Sequence, residues 1–286
     1  MRRWPQVNAW EPLFVVGLFL LVTIGSSSAL AAEGGGSVEA EVSLPPTLIT
    51  EGATPATEVE GTFTTSKSKT ERGYDFGLSS VQYAPVPSFG IKLAIPFAVR
   101  DPGDSEPTVG GIGDVSVMAK YAPLLLPARQ FALSGGVTLT FPTGSERREL
   151  GGQFAVAPFL AVGKGFGPFS LQADAAYRWQ RNEPRRLEPE EEAAEPVRPH
   201  KEEGVTANLT ATYSPVKRLF LILELNSVTV MRGDEELKDR VQLYVTPGVS
   251  VEPAEGWNLR AGVHLPLTST KELDWSLIVI VTKGIK

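Results

Sequence analysis

Cysteine is missing from this 286-residue chain, and histidine occurs only at His200 and His264. The first absence removes disulfide frameworks, thiolate zinc sites, iron–sulfur clusters and Cys nucleophiles together. The second leaves nothing from which to build a multi-histidine metal site, so neither a metal nor a cofactor is expected. Excess positive charge is lacking as well. A formal net charge of −6 cannot supply the basic footprint that nucleic acid requires, so nucleic acid is excluded as a partner. Past the first thirty residues no stretch stays apolar for the length of a membrane helix. What is present in quantity is apolar residue, 42% of the chain, with 28 glycines and 23 prolines to punctuate it. The chain's length suits one large all-β domain or two modest domains.

The N-terminus is an address and takes no part in the fold. Arg2 and Arg3 precede an apolar run from Leu13 to Gly25, and small residues at Ala29 and Ala31 fit an A-x-A cleavage site. The run is shorter than the roughly 20 residues that span a bilayer. Residues 1–31 therefore read as a signal peptide, with the mature chain starting at Ala32. Residues 32–56, rich in Gly, Pro, Thr and Glu without periodicity, read as a flexible lead-in.

From 57 to 286 the signal is alternation at period two in long segments. Ile91, Leu93, Ile95, Phe97 and Val99 share one face, while Lys92 and Arg100 lie on the other. Phe169, Leu171, Ala173, Ala175, Tyr177 and Trp179 oppose Gln172, Asp174 and Arg178. Trp257, Leu259, Ala261, Val263 and Leu265 oppose Asn258, Arg260 and His264. About twelve such strands can be counted, near the roughly 9–11 residues that a tilted strand needs to cross hydrocarbon. The aromatic residues of the apolar faces, among them Tyr121, Phe141, Tyr213 and Trp275, gather toward strand ends, as in the two girdles of a membrane barrel. Connections alternate between short ones, such as 163–168 and 214–218, and longer charged ones, such as 101–112 and the acidic 181–203. The fold expected is all-β, an antiparallel transmembrane β-barrel of up-and-down meander topology with loop 181–203 outside the cell. Prolines at 96, 158 and 247 fall inside strands and predict bulges there.

Two short segments carry a family resemblance. Gly111-Ile112-Gly113-Asp114-Val115 runs into Lys120-Tyr121, and Val137-Thr138-Leu139-Thr140-Phe141 runs into Pro142-Thr143-Gly144. They resemble paired segments of a bacterial outer-membrane barrel family labelled "putative MetA-pathway of phenol degradation", over about residues 60–282. The resemblance implies an outer-membrane barrel that passes small, often apolar or aromatic compounds. One departure is the C-terminus, Val281 to Lys286, which lacks the aromatic last residue that barrel-assembly machinery typically reads.

Enzymatic chemistry finds no foothold in the residues. His264 is the single plausible base within a strand, with Ser276 on the next strand as the nearest candidate nucleophile. No catalytic site is assigned, and the chain is expected not to be an enzyme. The inward polar residues Lys92, Arg100, Asp114, Lys120, Asp174, Arg178, Glu224, Tyr244, Arg260 and His264 are the candidate lining of a lumen. Twelve strands enclose a narrow or gated lumen, between the filled eight-stranded barrel and the open porin. The expectation is a passive outer-membrane channel for small solutes, with membrane lipid and, during biogenesis, the barrel-assembly machinery as its other partners. Two alternatives are kept: a structural or partner-binding barrel without a pore, and a soluble periplasmic β protein with a lipid-like ligand.

Overall fold

A computed structural model describes residues 41–68, 72–101, 108–145, 150–182, 201–232 and 238–285. The expected signal peptide and most of the acidic loop lie outside these residues. Twelve antiparallel strands follow one another around a closed barrel. They are β1 (Glu58–Lys67), β2 (Arg72–Val86), β3 (Phe89–Ala94 with Phe97–Asp101), β4 (Val109–Ile112 with Val115–Leu126), β5 (Phe131–Phe141) and β6 (Gln153–Phe166). The second half is β7 (Phe169–Asn182), β8 (Lys201–Val216), β9 (Leu219–Arg232), β10 (Val241–Val251), β11 (Trp257–Pro266) and β12 (Trp275–Gly284). Each strand pairs with its chain neighbours, and β1 pairs with β12 from Glu58↔Gly284 to Lys67↔Trp275, which closes the ring. Among the described residues one short edge remains, Val109–Ile112, which pairs only with Phe97–Arg100; elsewhere the backbone of the wall satisfies its own hydrogen bonds, the condition for crossing a bilayer.

Period-two alternation decides which side chain meets lipid. Leu160, Leu223, Leu221, Ile91 and Phe169 are among the exposed apolar residues, all on the outer face. Their chain neighbours Phe159, Glu224, Ile222 and Ser170 are buried within. Phe169 and Tyr213 stack on the outer face with ring centroids 4.7 Å apart, at the ends of β7 and β8 beside a short turn. The short turns cluster at one end of the barrel: 87–88, 127–130, 167–168, 217–218 and 252–256. At two of them Gly167 (φ 62°) and Gly256 (φ 71°) adopt the left-handed conformation that favours glycine in tight hairpins. The long connections occupy the other end.

The prolines act less uniformly than the sequence suggests. Pro96 does interrupt β3, and β4 is interrupted beside it between Ile112 and Val115, where the Gly113 N–H donates to the Pro96 carbonyl at 2.9 Å. Pro158 and Pro247 produce no bulge. Pairing of Pro158 with β7 and of Pro247 with β11 lapses, yet the register on either side is unshifted. The missing N–H removes a ladder bond on one side, while the opposite neighbour holds the strand in line through Val137↔Pro158 and Leu223↔Pro247.

Candidate functional site in the barrel lumen

The lumen is polar, and it is occupied by the chain itself. The flexible lead-in suggested for 32–56 contrasts with residues 41–56, which enter the barrel at the short-turn end. The Ser43 N–H donates to Gln130 Oε1 at 2.9 Å, and Gln130 Nε2 donates to the Glu41 carbonyl at 3.2 Å. Gln172 Nε2 on β7 donates to the Pro45 carbonyl at 2.6 Å, and Arg260 Nη1 on β11 donates to the Thr47 carbonyl at 2.6 Å. At the innermost point the Glu224 carboxylate on β9 accepts three consecutive backbone N–H groups, from Leu48 at 2.6 Å, Ile49 at 2.9 Å and Thr50 at 3.2 Å. Asp174 on β7 accepts the Glu51 N–H at 2.8 Å. The segment then returns to the same end of the barrel, where the Ile285 N–H donates to the Thr57 carbonyl at 2.9 Å.

Charge pairing follows the same route. Lys120 on β4 donates to the Glu51 carboxylate and, at 2.7 Å, to the Gly52 carbonyl. Burial disfavours the charged form of Glu51, but attraction to Lys120 and Lys92 and the hydrogen bond from Lys120 outweigh it and hold the carboxyl below its ordinary range. Arg260 Nη2 pairs with Glu60 at 2.8 Å and donates to Thr282 at 2.6 Å. Beside the returning arm a cavity of about 410 Å³ remains, with Lys92, Glu58, Gln82 and Asn258 on its wall. One side of the lumen is apolar: Ala53 of the inserted segment packs with Ala132, Phe159 and Ala161, flanked by Leu44 and Met118.

Above the segment, toward the long loops, polar side chains form a relay from strand to strand. Asn208 Nδ2 donates to Asp174 at 3.0 Å, Asn226 Nδ2 donates to Asn208 Oδ1 at 3.0 Å, and the Thr246 hydroxyl donates to Asn226 Oδ1 at 2.8 Å. Thr246 Oγ1 also lies 2.7 Å from His264 Nδ1. Because the hydroxyl proton is committed to Asn226, the imidazole is the donor in that contact, and it is not placed to withdraw a proton from Thr246. The His264 ring stacks on Tyr244 with centroids 4.3 Å apart. The Tyr244 hydroxyl donates to Gln242 Oε1 at 2.8 Å, and the Glu272 N–H, from the connection between β11 and β12, reaches the same oxygen at 2.9 Å.

The residues proposed from the sequence as lining are thus distributed among distinct tasks. Lys120, Asp174, Glu224 and Arg260 converge on the inserted segment, Tyr244 and His264 belong to the upper network, and Lys92 faces the cavity. Arg178 is exposed near the far end of β7, and the side chain of Arg100 lies outside the described residues. Asp114 does something else. Its carboxylate accepts the Gly144 N–H at 2.8 Å, the Gly152 N–H at 2.8 Å and the Gln153 N–H at 3.0 Å. Thr143 completes the joint: its hydroxyl donates to the Gly113 carbonyl at 2.9 Å and accepts the Val115 N–H at 2.8 Å. The two family-like segments are therefore halves of one clasp, which bridges the break in β4 and ties it to the connection that follows β5.

Sequence reasoning did not find the docking role of residues 41–56. A signal existed in the glycines of β6, β10 and β11, since glycine inside a strand often marks a close backbone approach. A Cβ at Gly163 would fall 2.2 Å from Leu44, and one at Gly248 or Gly262 would fall 2.5 or 2.4 Å from Leu48. These glycines make the seats for the two leucines of the inserted segment.

A closed antiparallel barrel with an apolar outer belt, aromatic rings at its rims and an ion-paired polar interior is an outer-membrane β-barrel. Residues 35–272 match the family described as "Putative MetA-pathway of phenol degradation", and the chain belongs to that family. Among solved structures it is similar to the COG4313 outer membrane channel from Pseudomonas putida F1, with 14% identity, a TM-score of 0.59 and coverage of 88% of this chain and 100% of that one. It is also similar to the NanC porin, at 8% identity, a TM-score of 0.51 and coverage of 81% and 100%. The β domain of the Bordetella autotransporter BrkA gives 14% identity, a TM-score of 0.51 and coverage of 82% and 100%. No curated protein matches in sequence.

Proposed function

We propose that this barrel is a passive, non-enzymatic channel for small solutes across the outer membrane, reached after export with a cleaved signal peptide and insertion by the barrel-assembly machinery. The observation that carries the reading is the wall: a lipid-facing apolar belt around a lumen lined by buried Lys120, Asp174, Glu224 and Arg260. Ionised side chains buried in a closed barrel are costly unless paired, and a lumen that passes polar matter gives them a use beyond stiffening. Lys92, Arg178, Tyr244 and His264 extend the lining toward the two mouths. Asp114 is removed from the solute path by its clasp. Small apolar and aromatic compounds are the proposed cargo, supported by the family description and by the apolar side of the lumen at Phe159 and Met118.

The test is reconstitution of the heat-modifiable, folded protein in planar bilayers and in liposomes loaded with small phenolic or sugar solutes. Stepwise currents and solute flux are expected. Silence at both polarities, both from the whole chain and from a chain lacking residues 41–56, would overturn the channel reading in favour of a structural barrel.

A further inference from the structure

Residues 41–56 do not merely fill space, because the wall carries a complementary partner for each part of them. Glu224 meets three successive N–H groups, Asp174 the next, Lys120 a carboxylate and a carbonyl, and Arg260 another carbonyl. Acceptors sit where the segment offers donors, and donors sit where it offers acceptors. Shape follows the same logic. Gly163 leaves room for Leu44, and Gly248 with Gly262 leaves room for Leu48, each at a distance that any larger residue would close. Few specific side-chain ends of the segment are read; what is read is chiefly a bent main chain, one acidic group and two apolar side chains.

We propose that Glu224, Asp174, Lys120 and Arg260 form a luminal receptor for a short peptide loop, that residues 41–56 are its tethered ligand, and that occupancy closes the channel. The last part rests on the channel reading above; the first two do not. Tethering explains how few contacts suffice. A ligand held on the same chain acts at an effective concentration of about millimolar, so even a weak site is filled much of the time and still empties at intervals. A vacated receptor would take an untethered peptide of the same class.

The experiment uses the chain without residues 41–56, its folding checked by heat-shifted mobility, and a fluorescently labelled synthetic peptide of the sequence 41–56. Saturable binding is expected. Glu224→Gln should weaken it about tenfold to a hundredfold, because an amide leaves one acceptor oxygen and turns a donor toward the N–H donors that the lost oxygen accepted. Gly163→Ala should also weaken binding by crowding the seat of Leu44, while leaving every charge in place. In bilayers the peptide should block currents when added at the short-turn mouth and not at the other. A barrel that folds and conducts without binding the peptide would refute the receptor and spare the channel. Binding without any current would refute the channel and spare the receptor.

A covalent arm uses the whole chain. The Thr50 and Thr210 hydroxyls lie 2.5 Å apart and the protein has no cysteine, so Thr50→Cys with Thr210→Cys gives one disulfide that fastens the segment to β8. Oxidation should silence the channel and reduction restore it. Equal currents in both states would refute occlusion by the segment.

Discussion

Replacing Asp114 by alanine removes one side chain and strips three backbone donors of their acceptor. The N–H groups of Gly144, Gly152 and Gln153 all end on its carboxylate within 2.8–3.0 Å. A hydrogen bond to a charged acceptor contributes about 1.5–3 kcal/mol, and the lower figure applies at this half-buried site beside a loop. Three such bonds at the lower figure sum to about 4.5 kcal/mol, and water entering the gap returns part of that, leaving an expected loss of about 3 kcal/mol. Asp114→Asn keeps one acceptor and should fall between the variant and the native protein. The assay is urea unfolding in detergent micelles followed by tryptophan fluorescence, with gel mobility of unboiled samples as a second reading. The Gly113 and Thr143 contacts remain in both variants, so the strand break itself should persist and the loss should appear as a lower midpoint with the slope unchanged. A shift below about 0.5 kcal/mol for the alanine variant would show that the clasp contributes nothing to the wall, and the structural reading of the paired family segments would fall.

Two further substitutions probe the wall from its two sides. Leu160 projects outward from the middle of β6, so Leu160→Arg should destabilise the folded barrel by about 2–4 kcal/mol in lipid, while the same change at the rim costs little; equal effects at both depths would contradict the assigned membrane face. Gly136 on β5 faces inward beneath the Phe159 ring, and a Cβ there would lie 2.2 Å from the Ala119 carbonyl and 2.7 Å from the ring, so Gly136→Ala should abolish the heat-modifiable band, and a normal band would show that the β4–β5 pairing is looser than described.

The barrel was legible because its rule is short. A period of two, with aromatic rings toward the strand ends, places Ile91, Leu223 and Trp257 outward and Gln172, Glu224 and Arg260 inward without knowledge of any partner strand. The division of labour among the inward residues was not legible. Asp114 and Asp174 have the same charge and the same parity, yet one holds a connection and the other holds the inserted segment. Only the register between distant strands separates them. Residues 41–56 were opaque for a related reason: a segment without periodicity carries no mark of its destination, and its order comes from partners 68 to 213 positions away in the chain. The effect of proline was legible at Pro96 and not at Pro158 or Pro247, since a missing donor bends a strand only when the neighbour on its other side also gives way.

The inserted segment enters and leaves by the same mouth, from the contact of Ser43 with Gln130 to the contact of Thr57 with Ile285. Its path is a loop pushed into the ring, with no chain end threaded through it. Such a loop can go in after the first and last strands have joined, so barrel closure and filling are separable events with no required order. It can also come out without disturbing a single rung between β1 and β12. A wall zipped shut for the life of the protein and an interior that can empty and refill many times are compatible in one chain because of that hairpin path.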